Sequence, residues 1–255
     1  MTSAPVVPDD TGRAAHDSQR VLPSGVSGPL YARLRAQLGT RAVLDVGAGS
    51  GLVSWGLTAA GCPVVLTDVV DWRAPVAAGL PFVLADAAAL PFADGACSGV
   101  HLARVLHHVA DWRAVLADVA RVLAEDGALC LSLGDRPVVD ELRGLLDQAS
   151  ALAERRGLRA APVAGPDQDS ADACLAGLGL VGESSVEFGA DVPVTPREVL
   201  TAGLGNPFRW LAGEDLTSVP ALVAEVLAGA GVDPDRRVLR DRTVRYRTYR
   251  RSAGR

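Results

Sequence analysis

The residues with the clearest chemical potential lie in Val43-Leu44-Asp45-Val46-Gly47-Ala48-Gly49-Ser50-Gly51, where three alternating glycines follow an apolar run and lead into a helix-compatible segment. Glycine is needed where backbone turns sharply, or where a ligand must touch main chain with no Cβ in between. Amides at a helix start point outward and favour an anionic group. Two carboxylates extend the pattern. Asp68 closes the apolar run Pro63–Asp68, seventeen residues past Gly51, and Asp86 closes Phe82–Asp86, with Ala87 next. A carboxylate after the second strand can accept hydrogen bonds from both hydroxyls of a ribose. One after the third lies over the same edge, within reach of an adenine amino group. The set suits a nucleoside carrying no phosphate. Its amino-acid carboxylate would rest on the loop amides, with Asp45 close to its ammonium.

Competing glycine-loop chemistries fit less well. A dinucleotide fingerprint, G-x-G-x-x-G, counted from Gly47 needs its last glycine where Leu52 stands. A P-loop needs Gly-Lys-Ser/Thr, which is absent. A nicotinamide-dependent oxidoreductase would share the loop and Asp68, and the early third glycine argues against it.

The elements that must hold these groups follow from periodicity. Tyr31–Leu38 reads as a short helix ended by Gly39, Ala42–Val46 as a strand, and Leu52–Ala60 as a helix stopped by Gly61. Pro63–Asp68, Phe82–Asp86, Ser98–Ala103 and Ala128–Leu133 read as further buried strands. Asp111 caps a helix whose Val115, Leu116, Val119, Val122 and Leu123 recur at helical spacing, and Glu125-Asp126-Gly127 stops it. Nearly all-apolar strands alternating with helices predict a parallel sheet covered on both faces. Beyond residue 134 the pattern loosens. Helices are read over 138–156, 170–178, from Pro196 and over 220–230, a linker over 159–169, and strands over 181–188 and 243–249.

The ordered segments VLDVGAGSG, LTD, LADAAALPFADGACSGVHLARVLHHVADW and RVLAEDGALCLSL resemble the S-adenosylmethionine-binding core of class I methyltransferases, in the ubiquinone/menaquinone-biosynthesis-like small-molecule branch. The resemblance covers about residues 41–134. It implies an α/β fold, Rossmann-like and doubly wound, with a mostly parallel seven-stranded sheet, helices on both faces and an antiparallel last strand. It implies an enzyme that uses S-adenosyl-L-methionine. Gly47, Ala48, Gly49 and Gly51 would line the methionine part with Asp45 nearby, Asp68 would hold the ribose, and Asp86 with Ala87 would meet the adenine. Ala103 and Arg104 would pass beside the sulfonium, and Tyr31 would close over the donor. One departure concerns the link from Asp68 to the third strand. The family has a full crossover helix there, whereas this chain has only Val69–Leu80 with Pro75 inside it, which leaves Asp71 as a rival to Asp68. Residues 1–28, rich in Pro, Gly, Ser and Asp and without periodicity, read as a flexible arm, and 29–255 as the methyltransferase domain that the resemblance implies. Within that domain, 29–134 would bind the donor and 135–255 would complete the sheet and shape the substrate pocket.

Composition narrows the partners. A net charge of −5 and a pI near 5.4 argue against nucleic acid or an anionic membrane reached by bulk electrostatics. ARVL stands after the fourth strand where a nucleic-acid methyltransferase would carry N/D-P-P-Y/F. The Arg-rich stretch Arg236–Arg255 reads as a solvated face. Cys62, Cys97, Cys130 and Cys174 are scattered, with neither metal nor disulfide spacing. The opening residues lack a basic n-region before an apolar run, and no apolar window suits a membrane span. The expectation is a cytoplasmic monomer or homodimer without a metal, methylating a small molecule. Richness in Ala, Arg, Asp and Gly is associated with high-GC bacteria and so with secondary metabolism.

His107 and His108 are the candidate catalytic pair, as a general base toward the acceptor. Adjacent histidines on an irregular loop are expected to point apart, which favours a role in the pocket wall. His101, within a strand, reads as core or wall. Trp72, Trp112 and Trp210 read as packing, and Gly205–Trp210 as a loop that faces substrate or simply packs. A donor-binding protein that does not methylate, such as a cyclase or an accessory protein, satisfies the same binding motifs.

Overall fold

The computed structural model describes residues 17, 23–134, 141–158, 165–205 and 216–252. These fall into two compact units. The larger gathers residues 23–134, 165–189 and 243–252; the other holds 17, 141–158, 190–205 and 216–242. Most of the arm expected over residues 1–28 lies outside the described residues, as do Trp210 and the rest of its loop beyond Gly205, and most of the linker over 159–169.

In the larger unit the apolar runs become strands β1 (Val43–Val46), β2 (Val64–Asp68), β3 (Phe82–Leu84), β4 (Cys97–Ala103) and β5 (Leu123–Ser132). With β6 (Leu180–Val194) and β7 (Val238–Arg251) they form one seven-stranded sheet of order β3-β2-β1-β4-β5-β7-β6. The first five are parallel, and β7 runs antiparallel to β5. All four β1 residues are buried, as a strand covered on both faces must be. Leu30, Leu34, Leu38, Leu57 and Leu66 join one apolar cluster; Leu102, Val115, Leu116 and Val119 join another. Strand order reverses between β1 and β4, and in open α/β sheets the crevice beyond the strand ends at such a reversal is where ligands bind.

Helices α1 (Ser24–Leu38), α2 (Leu52–Ala59) and α3 (Trp112–Val122) flank these strands in sequence. Helix α1 begins seven residues before the sequence reading places it and carries Pro29 internally. Asp111 caps α3 as expected, accepting from the Ala114 N–H at 3.0 Å. The helix then gives way to β5 at Leu123, earlier than the Glu-Asp-Gly stop. Leu123 turns to extended backbone (φ −76°, ψ 128°), pairs with Cys97 and lays its side chain over Gly127, where a Cβ would meet it at 2.8 Å. The link from β2 to β3 holds only the 3-10 turn Pro75–Ala77, with Pro75 at the turn's start, so no crossover helix forms. Strand β3 stops at Leu84, which leaves Asp86 in the loop beyond it.

Helix α4 (Glu141–Arg155), α5 (Gln168–Gly177), α6 (Pro196–Leu204) and α7 (Val219–Ala230) complete the order. The second unit's core is apolar and comes from α4, α6 and α7, with Leu145, Ala149, Leu200, Leu204, Leu222 and Leu227 among its buried residues. Thr195 and Glu198 close a capping box at the start of α6. Strands β6 and β7 run well past their expected ends, because alternation of polar and apolar residues continues through both.

Candidate functional site

Gly47, Gly49 and Gly51 have φ of 68°, 60° and 76°, a left-handed region closed to most side chains. Space is equally restrictive. A Cβ on Gly47 would lie 2.3 Å from Val105 Cγ2, and one on Gly51 would lie 2.8 Å from the Ala77 Cβ. The loop is held by its surroundings. Ala48 donates its N–H to the Thr67 carbonyl at 2.9 Å, and the Ser50 carbonyl accepts from the Ala74 N–H at 2.8 Å.

Asp68 meets the loop at its middle. Its Oδ2 accepts from the Gly49 N–H at 2.8 Å and its Oδ1 from the Val69 N–H at 2.7 Å. Burial pushes this carboxyl above the ordinary carboxylate range, while the amides of Gly49, Val69 and Val70 pull it back. Asp71 is placed differently. It is exposed and paired with Arg73, whose guanidinium holds its pKa low. Only Asp68 is brought to the glycine loop.

Asp45 lies under the loop, 2% exposed. Its Oδ1 faces His101 Nδ1 at 2.7 Å, and its Oδ2 accepts from the Ser54 hydroxyl in a very short bond. His101 is buried too, and its Nε2 stands 3.0 Å from the Tyr246 hydroxyl. The direct ammonium contact expected of Asp45 therefore has to compete with two protein partners. Ser54, His101 and Tyr246 were invisible as a set in the sequence, because they sit on three different elements, and only the register of β1 against β4 pairs Asp45 with His101.

Asp86 is exposed and accepts from the Ala88 N–H at 2.9 Å, forming the local turn that aspartates favour, while Ala87 is buried. The loop that follows is tied to α3. Asp118 accepts from the Leu90 N–H at 2.6 Å and pairs with Arg121, which donates to the Leu90 and Phe92 carbonyls at 2.9 and 2.7 Å.

Ala103 ends β4. Arg104 follows with φ 59°, the one non-glycine at positive φ among the described residues, and its N–H bonds the Ser132 carbonyl at 2.8 Å. A strained residue at a strand end over a site is a common mark of function. Tyr31 is largely buried, its phenol pKa raised by burial, and its ring fills the space above Gly56 on α2. His107 is exposed and His108 half-buried. Their ring centroids lie 3.9 Å apart, tilted by 46°, instead of pointing apart, and the His108 N–H bonds the Val105 carbonyl at 2.8 Å. Trp72 and Trp112 are buried, as packing residues are. A separate cleft of about 460 Å³ between α1 and α2 is lined by Tyr31, Arg35 and Trp55, and none of the loop glycines or Asp68 reaches it.

The loop's neighbourhood is thus acidic, with Asp45 and Asp68 beneath and beside it. A pyrophosphate would meet two carboxylates there, whereas a donor with a cationic end and free ribose hydroxyls would find acceptors. A family profile for a methyltransferase domain matches residues 44–131, the span from β1 to β5. Residues 44–131 are thus similar to a methyltransferase domain, a likeness that covers less than half of the chain. Around it, a demethylmenaquinone methyltransferase from Corynebacterium urealyticum is 33% identical over 99 residues, covering 38% of this chain and 43% of that protein. The chain thus spans less than half of that relative's length. Among solved structures, the YcgJ protein of Bacillus subtilis superposes with a TM-score of 0.58 at 18% identity, covering 89% of this chain and 99% of that one. The [4+2]-cyclase SpnF superposes at 0.57 and 15% identity, over 92% and 85%. Both likenesses establish the fold of the methyltransferase domain and nothing finer.

Proposed function

We propose that this chain transfers a methyl group from S-adenosyl-L-methionine to an O, N or C atom of a small-molecule acceptor. The observation that carries the reading is the Asp68 carboxylate seated on the Gly49 amide, which joins the acid after β2 to the glycine loop after β1. A carboxylate has about four acceptor positions. The amides of Gly49 and Val69 occupy two, and in this reading Asp68 trades its Gly49 bond for the sugar as it grips the ribose hydroxyls. The freed Gly49 amide then faces the donor's carboxylate.

The donor supplies an activated methyl on a sulfonium. What the protein must do is align acceptor and methyl and exclude water, an effect worth roughly 7–11 kcal/mol at best. Gly47, Ala48, Gly49 and Gly51 hold the methionine part in this reading, Asp68 the ribose, and Asp86 with Ala87 the adenine. Ala103, Arg104 and Tyr31 border the reacting end. His107 and His108 take a proton where the acceptor must lose one. We place the chain in the cytoplasm, where its four free thiols suit a reducing medium. No helix among the described residues is long and apolar enough to cross a membrane.

A second reading keeps the donor site and drops the transfer. It is favoured by the likeness to SpnF, a cyclase by name on the same fold, since a fold does not choose a reaction. The test common to both is calorimetry with S-adenosylhomocysteine on Asp68→Ala and Asp71→Ala. Asp68→Ala is expected to lose binding while keeping its melting temperature, and Asp71→Ala to bind like the wild type. The reverse order would overturn the ribose assignment.

A further inference from the structure

Asp45 and Ser54 stand at the two ends of the glycine loop, and the Ser54 hydroxyl donates to Asp45 Oδ2, so one hydrogen bond clips the loop's entry to its exit. The carboxylate making that clip is 2% exposed, on a strand buried along its whole length. Its other oxygen faces His101 Nδ1 at 2.7 Å. A carboxylate only accepts, so Nδ1 carries the proton, and Nε2 stands 3.0 Å from the Tyr246 hydroxyl. Burial raises the Tyr246 phenol pKa and keeps it a donor. The three residues span β1, β4 and β7. His101 and Asp45 are Cα partners across β1 and β4, which fixes the imidazole's reach.

We propose that His101, braced by Tyr246, is a positioning residue for the donor: it holds the Asp45 carboxylate in the orientation that clips the glycine loop, and donor affinity depends on that clip. The inference rests on the donor-binding reading above. His101 is 1% exposed, so its influence on the donor runs through Asp45. Removing its Nδ1–H leaves Asp45 short of a buried partner, free to turn from Ser54. Loss of one such bond in a buried network weakens what it holds by about tenfold.

The test is calorimetry with S-adenosylhomocysteine on His101→Leu, His101→Asn, Tyr246→Phe and Ser54→Ala, with melting temperature measured alongside. An Asn side chain places an N–H near the imidazole Nδ1 position and can restore the bond to Asp45; Leu cannot. Expected are an affinity loss of about tenfold in His101→Leu and Ser54→Ala and less than about threefold in Tyr246→Phe. His101→Asn should return to within about threefold of wild type, although it lacks the Tyr246 bond. Ser54→Ala is a small change and keeps the test available should His101→Leu fail to fold. Equal affinity in Ser54→Ala and wild type overturns the proposal, as do equal losses in His101→Leu and His101→Asn, which would mark a merely structural histidine. If the wild type itself binds no S-adenosylhomocysteine, the donor reading fails first. Wild-type binding with no effect of the variants sinks the positioning role alone.

Discussion

The rim of the sheet around β1, β2 and β4 and the helical core of α4, α6 and α7 are built on opposite principles. The rim buries ionisable groups: Asp45, Asp68 and His101 are each less than a tenth exposed and tied to one another's neighbours by hydrogen bonds. Among the described residues the helical core buries apolar side chains, chiefly Leu, Val and Ala, and charges pair on its outside, as Arg156 does with Glu225 and Arg197 with Asp235. Buried charge is costly unless it is paired, and is retained where geometry matters more than stability. The contrast therefore separates a region selected for what it holds from one selected for packing.

Truncation should show the contrast at its largest. Leu200 is fully buried in the helical core, and Leu200→Ala is expected to cost about 2–5 kcal/mol of unfolding free energy. S-adenosylhomocysteine affinity should stay unchanged in that variant, by denaturant titration and calorimetry. A matching loss of affinity would erase the division of labour. At the rim the sign inverts. Asp68→Asn should cost little stability, since it relieves a buried charge, yet lower affinity by about tenfold through the weaker acceptor.

The same carboxyl predicts a pH dependence. Its pKa is raised, chiefly by burial, so it takes up a proton at higher pH than an ordinary carboxylate. Donor affinity should weaken as pH falls, starting above the usual carboxylate range, and Asp68→Asn should flatten that part of the profile. A wild-type profile as flat as the variant's would contradict the role of Asp68.

Asp118 tests the intermediate case. Burial raises its pKa, but Arg121 and the Leu90 amide outweigh burial and leave it lowered. A lowered carboxyl contributes stability that is present above its unfolded pKa and lost as pH falls through the folded one. Asp118→Asn is expected to cost about 1–2 kcal/mol near neutral pH and to flatten part of the acid unfolding curve, by thermal melts at several pH values. Smallest of all, Arg156→Ala should cost less than about 1 kcal/mol, because its ion pair with Glu225 is half exposed.

Legibility followed the same division. The glycines, Asp68 and the β1–α2 turn were readable because loop, acid and strand end are local in sequence. The cap at Asp111 was readable for the same reason. The His101 partnership was not, since Asp45 and Tyr246 meet it only through strand register across 56 and 145 residues. The contact between His107 and His108 was not legible either, since a turn from Val105 to His108 brings neighbouring rings together. The lengths of β6 and β7 were underestimated because Pro193 in one and the dense charge in the other look like strand ends. Strand β6 lies at the sheet edge, where a proline is tolerated.

The most direct test of the account is calorimetry on the wild-type chain, with S-adenosylhomocysteine and NAD in parallel. Stoichiometric binding of S-adenosylhomocysteine and none of NAD is predicted, because Asp68 at the glycine loop accepts a ribose and the acidic loop disfavours a pyrophosphate. Binding of NAD with S-adenosylhomocysteine silent would contradict it.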